Sequence, residues 1–122
     1  MSLSNAVENE MLVDFLTRHP DLYLAASTAD PGEDGSTIAE PVGGGYARAA
    51  VGAVTVTGSI ITNDAPAVFP KATAAWGTIT HVAVYDAAEA GAFLGSVAVL
   101  VIDVATNDKI VVPTGTTIVT LD

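Results

Sequence analysis

Residues 78–86 read TITHVAVYD, and side chains of two kinds alternate along them. The two alternating sets are Thr78, Thr80, Val82 and Val84, and Ile79, His81, Ala83 and Tyr85. A repeat of two residues is that of a β-strand, and the β-branched residues suit a pleated sheet. The segment therefore predicts a strand whose two faces meet different surroundings.

Further strand-like segments lie on both sides of this one. FLGSVAVLVIDV (93–104) is so evenly apolar that we expect it to be buried on both faces. KIVV (109–112) and TTIVTL (116–121) are predicted to pair as a hairpin. Upstream, LYLAAST (22–28) and YARAAVGAVTVTG (46–58) are also predicted strands. Short strands separated by turn residues predict a mainly β fold, an antiparallel β-sandwich or a jelly-roll-like domain.

One helix is predicted before the strands, over residues 4–19. Ser4 or Asn5 can cap its first turn, and Pro20 disfavours helical geometry at the preceding residue. Its apolar residues recur at helical spacing, at Val7, Met11, Leu12, Phe15 and Leu16. An apolar stripe on a helix must be covered, so these five residues are candidate assembly contacts if they do not cover the chain's own sheet.

The organisation predicted is a single domain, residues 1–122, with a β-rich body over 21–122. A stretch at about 30–45 is dense in glycine, proline and acidic residues and is predicted to be a long loop. The chain has no cysteine, which excludes disulfides and thiolate metal sites. The apolar run 92–102 is interrupted by Gly95 and Ser96 and is too short to cross a bilayer.

The charge of the chain excludes several partners. Fourteen acidic residues against four basic ones give a net charge of −10. Nucleic acids and anionic membranes bind through clustered lysine and arginine, so neither is an expected partner. The first fifteen residues carry acids where a signal peptide has a basic region, so we expect synthesis without an export signal.

The segment EPVGGGYAR (40–48) raises the question of a phosphate-binding loop. A loop of that kind needs a lysine after its glycines and a helix beyond it, whereas strand-like residues follow Gly43, Gly44 and Gly45 here. We interpret the glycines as a conformationally permissive start of a strand. Tyr46 is then expected to pack inward and Arg48 to pair with a nearby acid.

Two other segments invite chemical interpretations. Residues 30–35 read DPGEDG. A calcium loop that begins at Asp30 would have Gly32 at its third position and Pro41 at its twelfth, and neither has a carboxylate side chain. A solvated β-turn is therefore favoured, and a weak cation site is left open. His81 lies within a predicted strand and has no visible catalytic or metal-ligating partner, so a half-buried structural role is expected. We therefore predict no catalytic residue, no metal and no cofactor. A small enzyme would need a cleft in which acids converge on His81.

Trp76 is the sole tryptophan and precedes a glycine. An exposed ring at this place would be a platform for a sugar, together with Tyr46 and Tyr85. A buried ring would instead close one end of the sandwich, and this is the interpretation that we favour. A carbohydrate-binding module that recognises a host glycan is thus the alternative to a structural protein.

Four segments taken in order resemble one family of proteins: LYLAASTADPGEDG (22–35), EPVGGGYARAAV (40–51), VFPKATAAWGTITHVAVYDAAEAG (68–91) and TIVTLD (117–122). They are similar to small structural proteins of tailed bacteriophages, usually labelled tail fibre or minor tail proteins. The resemblance covers nearly the whole chain. The chain differs from the family at 92–112, where larger aromatic residues are common in the family.

The resemblance implies a non-enzymatic virion protein, made in the host cytoplasm and placed on the tail or as capsid decoration. Its implied partners are other virion proteins and copies of itself, as in a trimer or other homo-oligomer. Gly43, Gly44, Gly45, Tyr46 and Arg48 are then structural hallmarks, and no catalytic residue is implied.

Overall fold

The computed structural model describes residues 3–121, apart from the side chain of Leu100, and is mainly β with one N-terminal helix. The elements are α1 (Asn5–Arg18), β1 (Tyr23–Ser27), β2 (Ala49–Ala50), β3 (Val54–Thr57), β4 (Ile60–Asn63), β5 (Ala67–Val68), β6 (Gly77–Tyr85), β7 (Phe93–Val104), β8 (Val111–Val112) and β9 (Thr117–Thr120). The predicted fold class, an antiparallel β-sandwich-type body preceded by a helix, is confirmed. Residues 1, 2 and 122, the ends of the predicted domain, lie outside the described residues.

Three antiparallel sheets build the body. The main sheet has four strands in the order β2-β1-β6-β7, the second has the order β3-β4-β9, and the third pairs β5 with β8. The strand predicted from TITHVAVYD is β6, which pairs with β1 on one side and β7 on the other. The predicted alternation holds only in part, because the pairing with β7 shifts register between Ile79 and His81. Ile79 therefore packs in the same cluster as Val84, whereas Ala83 and Tyr85 pack in another.

The predicted C-terminal hairpin is wrong. β8 pairs with β5, and β9 pairs with β4, so the two segments belong to different sheets. The buried side chain of Asn63 causes the separation, because its Nδ2 donates to the Pro113 carbonyl at 3.0 Å and its Oδ1 accepts from the Thr116 amide at 2.7 Å. The connection therefore wraps around Asn63 and closes no hairpin.

The predicted strand 46–58 is divided into two. β2 pairs with β1 in the main sheet, whereas β3 pairs with β4 in the second sheet. Gly52 lies between them with a φ of 72°, a left-handed conformation that favours glycine and interrupts a strand. The chain passes from one sheet to the other at this residue.

The expected burial of 93–104 on both faces is also wrong. Val97 and Val101 in β7 are 62% and 67% exposed. The reason is position, because β7 ends the main sheet and, among the strands of residues 3–121, pairs with β6 alone. An apolar composition does not distinguish a central strand from one at an edge.

The inner strands of the main sheet, β1 and β6, pack against other residues on both faces. One face packs in the principal core, whose buried members include Leu22, Leu24, Val51, Phe69, Ile79 and Trp76. The opposite face, at Ala25, Ala83 and Tyr85, is covered by Ile38 from the long connection between β1 and β2 and by Phe93. That connection contains the predicted loop 30–45 and the glycine-rich segment.

Helix α1 begins at Asn5, with Ser4 as the N-cap whose Oγ accepts a hydrogen bond from the Val7 amide at 3.2 Å. Leu12 is buried, and Phe15 and Leu16 pack against the principal core. Val7 and Met11 remain exposed. Three of the five stripe residues are therefore engaged within the chain, and two are free to meet another molecule. Within the described range, no helix has both the length and the apolar character that crossing a membrane requires.

Replacing Leu12 with alanine is expected to lower the free energy of unfolding by about 2–4 kcal/mol, because a buried leucine leaves a cavity. Met11→Ala, next to it and 47% exposed, is the matched control and should change stability by less than about 0.5 kcal/mol. Urea denaturation of both variants measures the difference. Equal losses would show that α1 does not pack as described.

Candidate functional site

Residues 40–48, hereafter the glycine segment, pack against Trp76. The Gly44 carbonyl accepts hydrogen bonds from Trp76 Nε1 at 2.8 Å and from the Thr73 amide at 2.9 Å. Gly44 has a φ of 61°, and a Cβ there would lie 3.1 Å from Trp76 Cδ1. Glycine is therefore needed at this position both for its conformation and for the close approach of its backbone to the ring.

Tyr46 connects the glycine segment to the main sheet. Its hydroxyl donates to Glu40 Oε1 at 2.6 Å and accepts from the Ala26 amide at 3.0 Å. β2 pairs with β1 only at Tyr23 and Leu24, so the Tyr46 hydroxyl satisfies an amide of β1 beyond the end of β2. Burial, supported by the bond to Glu40, raises the pKa of Tyr46 and keeps the phenol protonated.

Arg48 joins three parts of the chain. Its Nε and Nη2 each donate to Glu40 at 2.9 Å, one to each carboxylate oxygen. Its Nη1 donates to the carbonyls of Ala87 at 3.0 Å and Ala90 at 2.8 Å, in the connection from β6 to β7. The guanidinium also lies 3.8 Å from the ring centre of Tyr85, a cation–π contact. Glu40 is thus the nearby acid expected as the partner of Arg48.

These contacts turn the Arg48 guanidinium inward. The side chain of Arg48 is 7% exposed and that of Glu40 23%. The N–H groups of the Arg48 guanidinium point at protein oxygens. The planar guanidinium binds both oxygens of the Glu40 carboxylate at once. The arrangement is suited to fixing the loop on the sheet and presents no open cationic surface to a phosphate.

Stability should fall in acid because of Glu40. Burial disfavours its ionised form, but hydrogen bonds from Arg48 and Tyr46 and the charge of Arg48 outweigh this, so the pKa of Glu40 lies below its ordinary 4.5. A carboxyl group with a lowered pKa contributes stability above its unfolded pKa, and that contribution is lost as the pH falls through the folded value. We therefore expect the urea midpoint to decrease below about pH 4.5.

Glu40→Gln is the informative variant for this pH dependence. It should be less stable than the wild type at pH 7, because Arg48 loses its carboxylate, and its stability should fall less steeply in acid. Urea titrations at several values between pH 7 and pH 3 measure both effects. Parallel curves for the two proteins would rule out Glu40 as a source of the acid sensitivity.

Of the two interpretations of Trp76, an exposed surface ring or a ring buried at one end of the sandwich, the buried ring is the one observed. Trp76 is 6% exposed. The centroid of its ring lies 5.2 Å from that of Tyr46 and 6.4 Å from that of Phe69. Tyr85 is buried as well, beneath Arg48. The alternative of a sugar platform needs an exposed Trp76, so the buried ring does not support recognition of a glycan at this place.

His81 and the turn at residues 30–35 form no converging site. His81 is partly buried, its Nδ1 lies 2.9 Å from Thr80 Oγ1, and its Nε2 lies 3.9 Å from the exposed carboxylate of Asp30. Asp30 and Asp34 accept hydrogen bonds from the amides of Gly32 and Ser36, which is ordinary turn chemistry. Over residues 3–121, no three or more histidine and acidic side chains are grouped so as to hold a metal ion.

One contact that the sequence gives no sign of joins the helix to the sheet. His19, the C-cap of α1, places Nδ1 3.1 Å from Asp86 Oδ2 at the end of β6. The other oxygen of Asp86 accepts from the Ala92 amide at 2.7 Å. The two partners are 67 positions apart, so no local pattern could have linked them.

An apolar groove opens beside β7. It has a volume of about 640 Å³ and lies between β7 and β9, which end the main and second sheets. Leu94, Val97 and Val99 form one wall, Ile118 lies on the other, and Val82 of β6 lines the groove between them. The two sheets therefore do not close on each other along this side, hereafter the open edge.

A comparison with models of protein families identifies the family of this chain. The family model described as Podophage GP4 fiber I protein gp80 matches residues 2–120. The chain belongs to this fibre I family. The matched range includes the glycine segment, Trp76 and the whole of β7. No curated protein matches the chain.

Membership of the fibre I family supports a structural role in a phage, as the resemblance in sequence implies. The geometry agrees with this role. The polar side chains of the glycine segment bind one another and the backbone, whereas Val97 at the open edge is exposed.

Proposed function

We propose that this chain is a non-enzymatic structural protein of a phage virion, a component of a fibre that acts through contacts with copies of itself and with other virion proteins. The observation that carries the proposal is the match of residues 2–120 to a podophage fibre protein. Its location is then the assembled particle, and its partners are proteins.

The use of polar side chains supports a structural role without catalysis. Arg48, Glu40 and Tyr46 are arranged like the parts of a site, yet their hydrogen bonds are directed at one another and at the backbone. His81 has one carboxylate within 4 Å among the described residues, and that carboxylate, on Asp30, is exposed and distant at 3.9 Å. A catalytic centre requires groups that converge on a substrate.

The exposed surface supports contacts with proteins rather than with nucleic acid. The net charge of −10 repels phosphate, and Arg48, one of four basic residues, is turned inward. Large apolar side chains are exposed on β7 and, at Val7 and Met11, on α1. Apolar surface of this kind is typical of sites where proteins meet.

Mass spectrometry of gradient-purified parent particles tests the proposal. We expect peptides of this chain in a fixed ratio to the major capsid protein, through repeated gradients and high-salt washes. Host proteins of similar abundance in the lysate are the control and should be depleted at each step. Recovery of the chain only in the soluble fraction of the lysate would contradict a virion role.

A further inference from the structure

We propose that the open edge receives an extended, uncharged segment of a different virion protein, which adds to β7 as a further strand and places every second side chain in the apolar groove. The inference rests on the proposed structural function and deepens it by naming the surface and the chemistry of the partner. In strand addition of this kind, main-chain hydrogen bonds supply affinity and a pocket for alternate side chains supplies specificity.

The groove has the shape that an extended chain requires. Among the strands of residues 3–121, β7 ends the main sheet and β9 ends the second sheet, so each has one unpaired side. The groove floor includes Leu24 of β1 and Val84 of β6, so a side chain placed there would contact the inner strands of the main sheet. The lining part of β7, residues 94–99, is roughly 20 Å long at about 3.3 Å per residue, the length of a strand of about six residues.

The groove is open beside Gly95. A Cβ at Gly95 would meet no heavy atom of the described residues within 4 Å, apart from its neighbours in the chain. Val97, in the same wall, is 62% exposed although it pairs with Val82 on the groove floor. Protein interiors are close-packed, so apolar walls with this much space between them are suited to a side chain from another molecule.

The lining of the groove selects an uncharged occupant. None of the described residues that line it has an ionisable side chain. A charged side chain placed there would lose its water and gain no partner of opposite charge, which is unfavourable. A segment that has apolar side chains at every second position and no charged residue is therefore the complement of this lining.

A different protein fits the groove better than a second copy does. Each of the nine strands in residues 3–121 already pairs within its own chain, so a second copy has no unpaired strand to insert. Two copies also carry a net charge of −10 each and repel each other wherever carboxylates face carboxylates. A protein with fewer acidic residues avoids this repulsion. Contacts between copies at other surfaces are compatible with the insertion.

The area of the groove sets the strength of the contact. A segment roughly 20 Å long, covered along one edge and one face that together are about 15 Å wide, buries roughly 300 Å². The total for both partners, about 600 Å², is below the roughly 1,200–2,000 Å² of stable complexes. The segment therefore binds weakly as a free peptide and binds well when the particle holds the two proteins together.

Photo-crosslinking in purified parent particles identifies the occupant. The photoreactive residue p-benzoylphenylalanine is placed at Val97 in the groove and, as the control, at Val42, a fully exposed loop position. From Val97 we expect crosslinks to a segment of a different virion protein that has no charged residue over about six positions, the length of the groove. The control position should not reach that segment. Crosslinks from Val97 that join only copies of this chain, that reach only charged segments or that do not form would overturn the inference.

Filling the groove from within the chain is a second test. Gly95 does not have a left-handed φ, so its backbone accepts other residues. Gly95→Leu should fold as the wild type does and, when both chains are supplied in equal amounts, should be incorporated into particles at least about fivefold less, because its side chain occupies the groove. Gly95→Ala adds a single methyl group and is the matched control, which should be incorporated nearly as well as the wild type. Equal incorporation of a folded Gly95→Leu protein would contradict the inference.

Hydrogen exchange needs no variant and decides the matter if a substituted chain fails to fold. The outward-facing amides of residues 94–99 should exchange at least about tenfold more slowly in particles than in the isolated chain. Equal exchange in the two samples, or protection that the isolated chain already acquires when its copies associate, would overturn the inference. Neither result would remove the chain from the virion, because the mass spectrometry of particles tests that role separately.

Discussion

Arg48→Ala is expected to lower the free energy of unfolding by about 3 kcal/mol, a large part of the 5–15 kcal/mol of a typical domain. The substitution leaves the Glu40 carboxylate without its bidentate partner and the carbonyls of Ala87 and Ala90 without a donor. We expect the lower end of the cost of breaking a buried pair, because Glu40 retains 23% exposure. Chemical denaturation at pH 7 measures the loss.

Two variants separate the geometry of Arg48 from its charge. Arg48→Lys keeps the charge but cannot bind both carboxylate oxygens and the two carbonyls, so most of the stability should remain lost. Arg18→Ala removes an arginine whose pair with Asp14 is exposed on both sides and should cost less than about 0.5 kcal/mol. Equal effects of Arg48→Ala and Arg18→Ala would contradict a structural role for the glycine segment.

Trp76→Ala is expected to cost about 3–5 kcal/mol, as removal of a buried large aromatic side chain does. It removes the ring against which Tyr46 and Phe69 pack, and it leaves the Gly44 carbonyl with the Thr73 amide as its remaining donor. The melting temperature of the variant measures the effect.

Trp76→Phe is the matched control, because it keeps an aromatic ring and removes the indole N–H. It should lose less stability than Trp76→Ala, since much of the buried surface remains. A Trp76→Ala protein that melts like the wild type would show that the ring is not part of the core.

The sequence predicts those features of the fold that depend on local pattern. The alternation in 78–86 identifies β6, and the cap at Ser4 and the stripe before Pro20 identify α1. It does not predict which strands become neighbours. The C-terminal segments pair with β4 and β5 because Asn63 holds the chain between them, and this is a contact across 50 positions for Pro113.

The limits at the candidate site have the same origin. That Arg48 needs an acid follows from its type and surroundings, but the two carbonyl partners in the connection from β6 to β7 depend on the folded chain. The sequence leaves both a surface and an interior position open for Trp76. In the folded chain Trp76 Nε1 donates a hydrogen bond to the Gly44 carbonyl, which lets the ring lie in the interior. The exposure of β7 could not be predicted, because an apolar strand at an edge has the composition of a buried one.

Electron microscopy of parent particles labelled with gold-conjugated antibody against this chain tests the central claim most directly, that the chain is a structural component of a phage fibre. We predict gold on the fibres of intact particles and none on particles treated with pre-immune serum. Particles without gold, from a lysate in which the antibody detects the soluble chain, would contradict the claim.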